Sequence, residues 1–155
     1  RRHTRFKCDW SSDVCSSDLY PGIPELLKAL RDRGARLAVA TSKVEYAAVR
    51  ILEHFDLATY FDVIVGAGTD ESVRGTKGLV VSHALDVLNL PQGSGAVMVG
   101  DREHDIRGAH ENDLPAIGVA YGYSHPGELV EAGAMFVAQT VADLSSFLLA
   151  TSQPS

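Results

Sequence analysis

Two acidic residues, Asp101 and Asp105, stand where an apolar segment gives way to a turn. Residues 96–99 form a continuous apolar run that is typical of a buried parallel strand, and Gly100 permits a tight turn after it. Open α/β sheets bind their ligands at the carboxyl ends of their strands, and Asp105 lies one helical turn beyond Asp101. Neighbouring carboxylates repel each other unless a cation or proton lies between them, and their oxygens suit Mg²⁺. Taken alone, the pair is explained equally well by a helix cap and a solvated first-turn acid.

Two further polar residues, Thr41 and Lys77, stand beside predicted helix starts, where they could bind a phosphate group. Thr41 follows the apolar run 37–40, and its hydroxyl with the amides of Ser42 and Lys43 at a helix start can hold an anionic oxygen. Lys77 stands at the start of another helix and offers a compact positive charge. Each has a plain alternative, a helix cap for Thr41 and a solvated lysine for Lys77. Together with Asp101 they predict an anion site at one edge of a parallel sheet.

The elements that must position these residues alternate regularly between strand and helix. Such alternation, with helices of about a dozen residues, predicts βαβ units and a parallel sheet with helices on both faces. The fold class is therefore α/β, a three-layer Rossmann-like domain. The Ser42 and Glu45 spacing predicts a capping box at the start of the second helix. The predicted strands lie at residues 37–40, 63–65, 96–99, 117–119 and 135–137.

Length and composition restrict the class of partner. The chain has 155 residues, 45% of them hydrophobic and 22% charged, as in one ordinary globular domain. Its net charge of −6 provides no basic footprint for nucleic acid, and neither a membrane span nor a signal peptide is evident. Only Cys8 and Cys15 are present, so no disulfide framework supports the core. We expect a cytoplasmic protein that binds a small phosphorylated metabolite.

The first 19 residues differ from the rest of the chain. They are basic at the start, nearly repeat a Ser-Ser-Asp unit at residues 11–13 and 16–18, and show no apolar periodicity. The segment resembles translated sequencing-adapter read-through, and we interpret it as a non-native or disordered tail. The predicted organisation is this tail at 1–19, a partial α/β core at 20–150 and a disordered end at 151–155.

The ordered set of Thr41, Lys77 and Gly100-Asp101-x-x-x-Asp105 resembles three of the four motifs of the haloacid dehalogenase (HAD) superfamily. The segments 20–27, 97–105 and 118–123 are similar to its phosphoglycolate phosphatase branch, including bacterial 5'-nucleotidases. The resemblance implies Mg²⁺-dependent hydrolysis of a phosphate monoester through an aspartyl-phosphate. It implies that Thr41 and Lys77 are catalytic and that they and Ser42 bind phosphate. Asp101 would bind the metal, with Asp105 as a second ligand or its support.

One motif of the superfamily is missing from the sequence. The expected Asp-x-Asp pair, which supplies the nucleophile and the acid/base, occurs nowhere in the 155 residues, and the helical cap domain that selects substrate is absent too. The resemblance places the missing strand at the centre of the sheet, between the strands that end near Thr41 and Gly100. We therefore expect a truncated core with exposed apolar edges, low stability and no more than background hydrolysis.

Three other functions remain open at this stage. Residues 63–68 look like half of a dinucleotide fingerprint, but Glu71 stands where the third glycine should be. A receiver-type signalling domain also has an acidic pocket, a Thr and a Lys, although its phosphoacceptor Asp precedes them, whereas Asp101 comes last. A non-catalytic α/β domain is the third alternative.

Overall fold

The computed structural model of the chain describes residues 20–67, 76–91, 95–122 and 124–151. The predicted tail at 1–19 and residues 152–155 lie outside this range, so the interpretation of both ends stays a prediction. In chain order the elements are α1 (Ile23–Asp32), β1 (Ala38–Val44), α2 (Glu45–His54), a 3-10 turn (Ala58–Tyr60), β2 (Val63–Ala67), α3 (Lys77–Leu88), β3 (Met98–Gly100), α4 (Glu103–Glu111), β4 (Ala116–Val119), α5 (Glu128–Ala132), β5 (Phe136–Ala138) and α6 (Val141–Thr151). None of the helices in the described residues is both long and apolar enough to cross a bilayer.

The five described strands lie in two sheets, and all pairings within each sheet are parallel. β1 pairs with β2, while the second sheet has the order β3-β4-β5. Within the described residues, β1 and β3 therefore each have a hydrogen-bonded neighbour on one side only. These are the two strands between which the sequence predicts an absent central strand. The parallel α/β architecture is confirmed.

Alternating side chains place the three-stranded sheet between two layers of helices. In β4, Ile117 and Val119 pack with α1 and α6, whereas Ala116 packs with α3, α4 and α5 on the opposite face. This alternation follows from the two-residue period of a strand. Because both faces are covered, β4 is buried along its whole length, as the apolar run predicts. The predicted three-layer arrangement is confirmed for this sheet.

The segment that carries Thr41 and Ser42 differs from its prediction. β1 continues to Val44, and α2 begins at Glu45 with no side-chain cap, so the predicted helix start at Thr41 and the Ser42–Glu45 capping box are both wrong. The register is regular up to Ala40 and resumes at Val44, which leaves residues 41–43 as a bulge. The Thr41 hydroxyl accepts a hydrogen bond from the Lys43 amide at 3.1 Å. The Glu45 carboxylate instead accepts one from the Gly66 amide at 3.2 Å, across to β2.

Gly66 is needed where β2 passes the junction of β1 and α2. A Cβ atom at this position would lie 2.5 Å from both the Lys43 carbonyl oxygen and the Glu45 Cα. These are backbone atoms, so neither can turn aside as a side chain would. Gly66, the first glycine of the possible dinucleotide fingerprint, is thus explained by packing, whereas Gly68 and Glu71 lie outside the described residues.

We expect Gly66→Ala to lower the free energy of unfolding by about 1–3 kcal/mol, because the methyl group must push β2 away from β1 and α2. Urea unfolding followed by circular dichroism measures the loss. Gly78→Ala is the matched control, since the added Cβ meets only the flexible Glu111 side chain and a helical alanine is favoured. Equal stability of the two variants would contradict this account.

Candidate phosphate and metal site

Lys77 connects the two sheets of the fold, because its side chain contacts both β1 and α4, the helix that follows β3. α3 begins at this residue because the Thr76 hydroxyl caps the helix, accepting a hydrogen bond from the Leu79 amide at 3.3 Å. The Lys77 Nζ lies 2.7 Å from the Asp105 Oδ1, and it donates to the Ala40 carbonyl oxygen at 3.0 Å. Both charged side chains are only 8% exposed. Lys77 therefore joins Ala40, the last regularly paired residue of β1 before its bulge, to α4, and the alternative of a solvated lysine is wrong.

The Asp105 carboxylate contacts three protein donors. While its Oδ1 faces Lys77, its Oδ2 accepts hydrogen bonds from the amides of Asp101 at 3.1 Å and Arg102 at 3.2 Å. Gly100 makes room for this carboxylate, because a Cβ there would lie 2.5 Å from the Asp105 Oδ2. The residue is 5% exposed, which excludes the solvated first-turn acid. The contacts suit a group that shapes the loop and orients Lys77; direct metal ligation by Asp105 stays a prediction.

Asp101 lies against the loop that follows β4. A Cβ on Gly122 would lie 2.4 Å from the Asp101 Cβ and 2.5 Å from its Oδ2, so the bare glycine backbone borders the carboxylate. The neighbouring Tyr121 packs edge-on against Tyr20, with ring centroids 4.9 Å apart. Burial, with smaller contributions from Tyr20 and Asp101, raises the pKa of Tyr121 to about 12. The Tyr121 phenol therefore stays neutral at physiological pH.

Glu128, which the sequence analysis did not single out, supports the same loop from α5. Its Oε2 accepts hydrogen bonds from the Arg102 Nε at 2.8 Å and the Glu103 amide at 2.7 Å, and its Oε1 accepts one from the His125 amide at 3.1 Å. The Arg102 guanidinium and the two amides lower the pKa of Glu128 from 4.5 to about 2. The only sequence signal is the Gly127-Glu128 start of a short helix, where an acidic residue is favoured.

The low pKa of Glu128 makes its stabilisation depend on pH. Above about pH 4.5 its carboxylate is ionised in the folded and unfolded chain alike, and the contribution is complete. As the pH falls from 4.5 towards 2, the unfolded chain takes up the proton first, so the contribution is lost. We expect the difference in urea midpoint between the wild type and Glu128→Gln to narrow over this range. Arg102, Glu103 and His125 face Glu128 and are present in both proteins. If the difference in urea midpoint is the same at about pH 3 as at neutral pH, the low pKa of Glu128 is contradicted.

The structure brings some of the predicted site residues together directly. Lys77, Asp105 and Asp101 form one connected set, and the carbonyl that accepts from Lys77 belongs to the residue before Thr41. Thr41 and Ser42 lie in the bulge instead of at a helix start, and Ser42 is exposed. The phosphate-binding and catalytic roles of Thr41, Ser42 and Lys77 stay predictions.

The donor set at Asp101 is compatible with Mg²⁺. Across residues 20–67, 76–91, 95–122 and 124–151, no three His, Cys, Asp or Glu side chains cluster to hold a metal. Mg²⁺ does not require such a cage, because it is commonly bound by one or two carboxylates together with waters and substrate phosphate oxygens. Asp101, held at the end of β3, fits that pattern.

A family model described as haloacid dehalogenase-like hydrolase matches residues 5–119. The chain belongs to this family. The solved structure of a predicted phosphatase from Clostridium acetobutylicum superposes on this HAD chain with a TM-score of 0.81 at 44% identity, covering 86% of this chain and 61% of that one. The family excludes the receiver-type alternative, and the resemblance found in the sequence is confirmed.

Curated relatives of this HAD chain have different names. A tyrosine-protein kinase PtkA from Mycobacterium tuberculosis is 46% identical over 119 residues, which are 76% of this chain and 40% of that protein. A 5'-nucleotidase from Pseudomonas aeruginosa is 41% identical, covering 72% and 49% of the two chains. A phosphoglycolate phosphatase from Agrobacterium fabrum is 38% identical, covering 68% and 44%. The chain thus spans less than half the length of each of these relatives.

Proposed function

We propose that the protein to which this chain belongs is a Mg²⁺-dependent phosphate monoester hydrolase acting on phosphoglycolate or a similar small phosphate ester. The observation that supports the proposal is the buried contact of Lys77 with Asp105. The Lys77 ammonium also donates to the carbonyl of Ala40, where the regular pairing of β1 with β2 ends. These contacts hold a positive charge between the bulge of β1 and the carboxyl end of β3, and the carboxyl ends of parallel strands are where such sheets bind their ligands. Relatives named phosphoglycolate phosphatase support the substrate class.

Within this proposal each residue has a separate task. Asp101 would hold Mg²⁺, which would supply positive charge to offset the negative charge of the phosphoryl oxygens. Lys77 stabilises the same charge from the side of β1, and its partner Asp105 holds the ammonium in place. Thr41 and Ser42 lie in the bulge that follows Ala40, and the Thr41 hydroxyl donates to a phosphoryl oxygen.

The proposed route passes through an aspartyl-phosphate that water then hydrolyses. Its nucleophile and its acid/base are both carboxylates, and the 155 residues contain no Asp-x-Asp pair. In this proposal both groups come from outside these 155 residues, and the chain alone hydrolyses phosphate esters no faster than background. Residues 96–122 supply the metal side of the site.

Two relatives favour alternative substrates for the same site. The 5'-nucleotidase from Pseudomonas aeruginosa favours a nucleoside 5'-monophosphate, which has the same phosphate monoester chemistry. The tyrosine-protein kinase from Mycobacterium tuberculosis favours transfer of a phosphoryl group to a protein tyrosine. All three functions require a bound phosphoryl group, so Lys77 and Asp101 alone do not discriminate between them.

The test is an assay of the complete reading frame against a panel of phosphate monoesters, nucleoside 5'-monophosphates, and ATP with a tyrosine-containing protein. We expect Mg²⁺-dependent release of phosphate, lowered about 10²–10³-fold in Lys77→Met and in Asp101→Asn. Lys28→Met is the matched control, because Lys28 is 65% exposed on α1. Absence of phosphate release, or turnover that survives both site substitutions, would refute the proposed function.

A further inference from the structure

Glu128 contacts the loop that carries Asp101 through donors that Asp105 does not use. Its side chain is 6% exposed, and its two oxygens accept hydrogen bonds from the Arg102 side chain and from the Glu103 and His125 amides. The Glu128 carboxylate therefore forms its hydrogen bonds mainly with protein groups and little with water. The contact therefore constrains the backbone just after Asp101.

The loop is held by two carboxylates that divide its donors between them. Asp105 accepts hydrogen bonds from the amides of Asp101 and Arg102, whereas Glu128 accepts them from the Arg102 side chain and the Glu103 amide. Consecutive amides thus turn towards different acceptors, which determines the path of the chain from β3 into α4. Removing either acceptor leaves its share of these N–H groups without a protein partner.

The pairing also joins parts of the fold that are distant in sequence. Arg102 and Glu128 are 26 residues apart, and α5 packs on α4 through Leu129, which lies in the same core cluster as Ile106. Glu128 is therefore carried on a helix whose own position is determined by apolar packing. A rigidly carried acceptor can hold a loop in place, whereas one on a mobile segment cannot.

We propose that Glu128 is a positioning residue, which holds residues 101–103 in the conformation that presents the Asp101 carboxylate to the phosphate and metal site. The inference rests on the proposed function in giving Asp101 the role of metal ligand. Glu128 itself does not touch the reacting groups in this proposal. It acts through the loop backbone, as outer hydrogen-bond partners of metal ligands generally do.

The test measures hydrogen exchange of single backbone amides by NMR in the metal-free chain. In Glu128→Ala we expect the amides of Asp101, Arg102 and Glu103 to exchange on the order of tenfold faster or more, because the loop loses its second acceptor. Amides of β1 and β2, which pair with each other and not with either carboxylate of this loop, keep their wild-type rates. Glu128→Gln, which retains one acceptor oxygen, is expected to restore part of the protection. The matched control is Glu131→Ala, which removes an exposed carboxylate from the same helix.

Two results would overturn the proposal: unchanged exchange at residues 101–103, or acceleration shared equally by all strands, which would indicate general loss of stability. If Glu128→Ala does not fold, the same comparison is made with Glu128→Gln, where we expect a smaller but still local acceleration. A separate titration with Mn²⁺, followed by broadening of the Asp101 resonances, tests the proposed metal site. The hydrogen-exchange rates test whether Glu128 positions the loop. If Mn²⁺ does not broaden the Asp101 resonances of the wild type, that result counts against the proposed function and not against the role of Glu128.

Discussion

Replacement of Asp105 by alanine is expected to lower the free energy of unfolding by about 3–5 kcal/mol, the loss typical when one partner of a buried ion pair is removed. The Lys77 ammonium would remain buried, and the amides of Asp101 and Arg102 would lose their acceptor. A loss of this size is a large part of the about 5–15 kcal/mol by which domains are stable. Urea unfolding followed by circular dichroism measures it.

Asp86→Ala is the control for this experiment, because Asp86 is exposed on α3 and its substitution should change stability by no more than about 0.5 kcal/mol. The double variant Lys77→Met with Asp105→Ala should be less destabilised than the sum of the single variants, since no buried charge is left unpaired. The buried Lys77–Asp105 ion pair would be contradicted as a stabilising contact by either of two results. One is that the stability losses of the two single variants simply add in the double variant, and the other is that Asp105→Ala loses no more stability than Asp86→Ala.

Gly122→Ala is expected to weaken Mg²⁺ binding by about 10–100-fold, the usual effect of disturbing the surroundings of a metal ligand. The new Cβ would collide with the Cβ and Oδ2 of Asp101, so the carboxylate must turn away or the loop must move. Titration with Mg²⁺, followed by NMR shifts of the Asp101 and Arg102 amides, measures the affinity. This prediction depends on the proposed role of Asp101.

The control is Gly78→Ala, which adds the same methyl group on α3 against the flexible end of Glu111. We expect it to leave Mg²⁺ binding unchanged. Wild-type affinity in Gly122→Ala would show that the Asp101 carboxylate is not confined by the loop after β4. Equal weakening in both variants would indicate a general response of the fold and not a local collision.

Some site residues could be placed from the sequence because their position depends on local signals. Asp101 follows a continuous apolar run and a glycine, and the structure places it directly after β3. Lys77 begins α3, as predicted. The bulge at Thr41 could not be predicted in the same way. The Ser42–Glu45 spacing is the same whether the segment starts a helix or continues a strand, so it does not discriminate between the two. Its outcome depends on pairing with β2, which lies some 20 residues further along the chain.

By itself, the sequence determined the α/β class, the family, and the order in which Thr41, Lys77, Asp101 and Asp105 occur along the chain, because apolar periodicity and short motifs are local properties. Only the tertiary structure decided which donors each carboxylate receives. The commitment of Asp105 to Lys77 and two amides, the space that Gly122 leaves for Asp101, and the contact of Glu128 with Arg102 all join separate elements. Such contacts depend on how helices and sheets pack against each other, so they cannot be predicted from the spacing of residues along the chain.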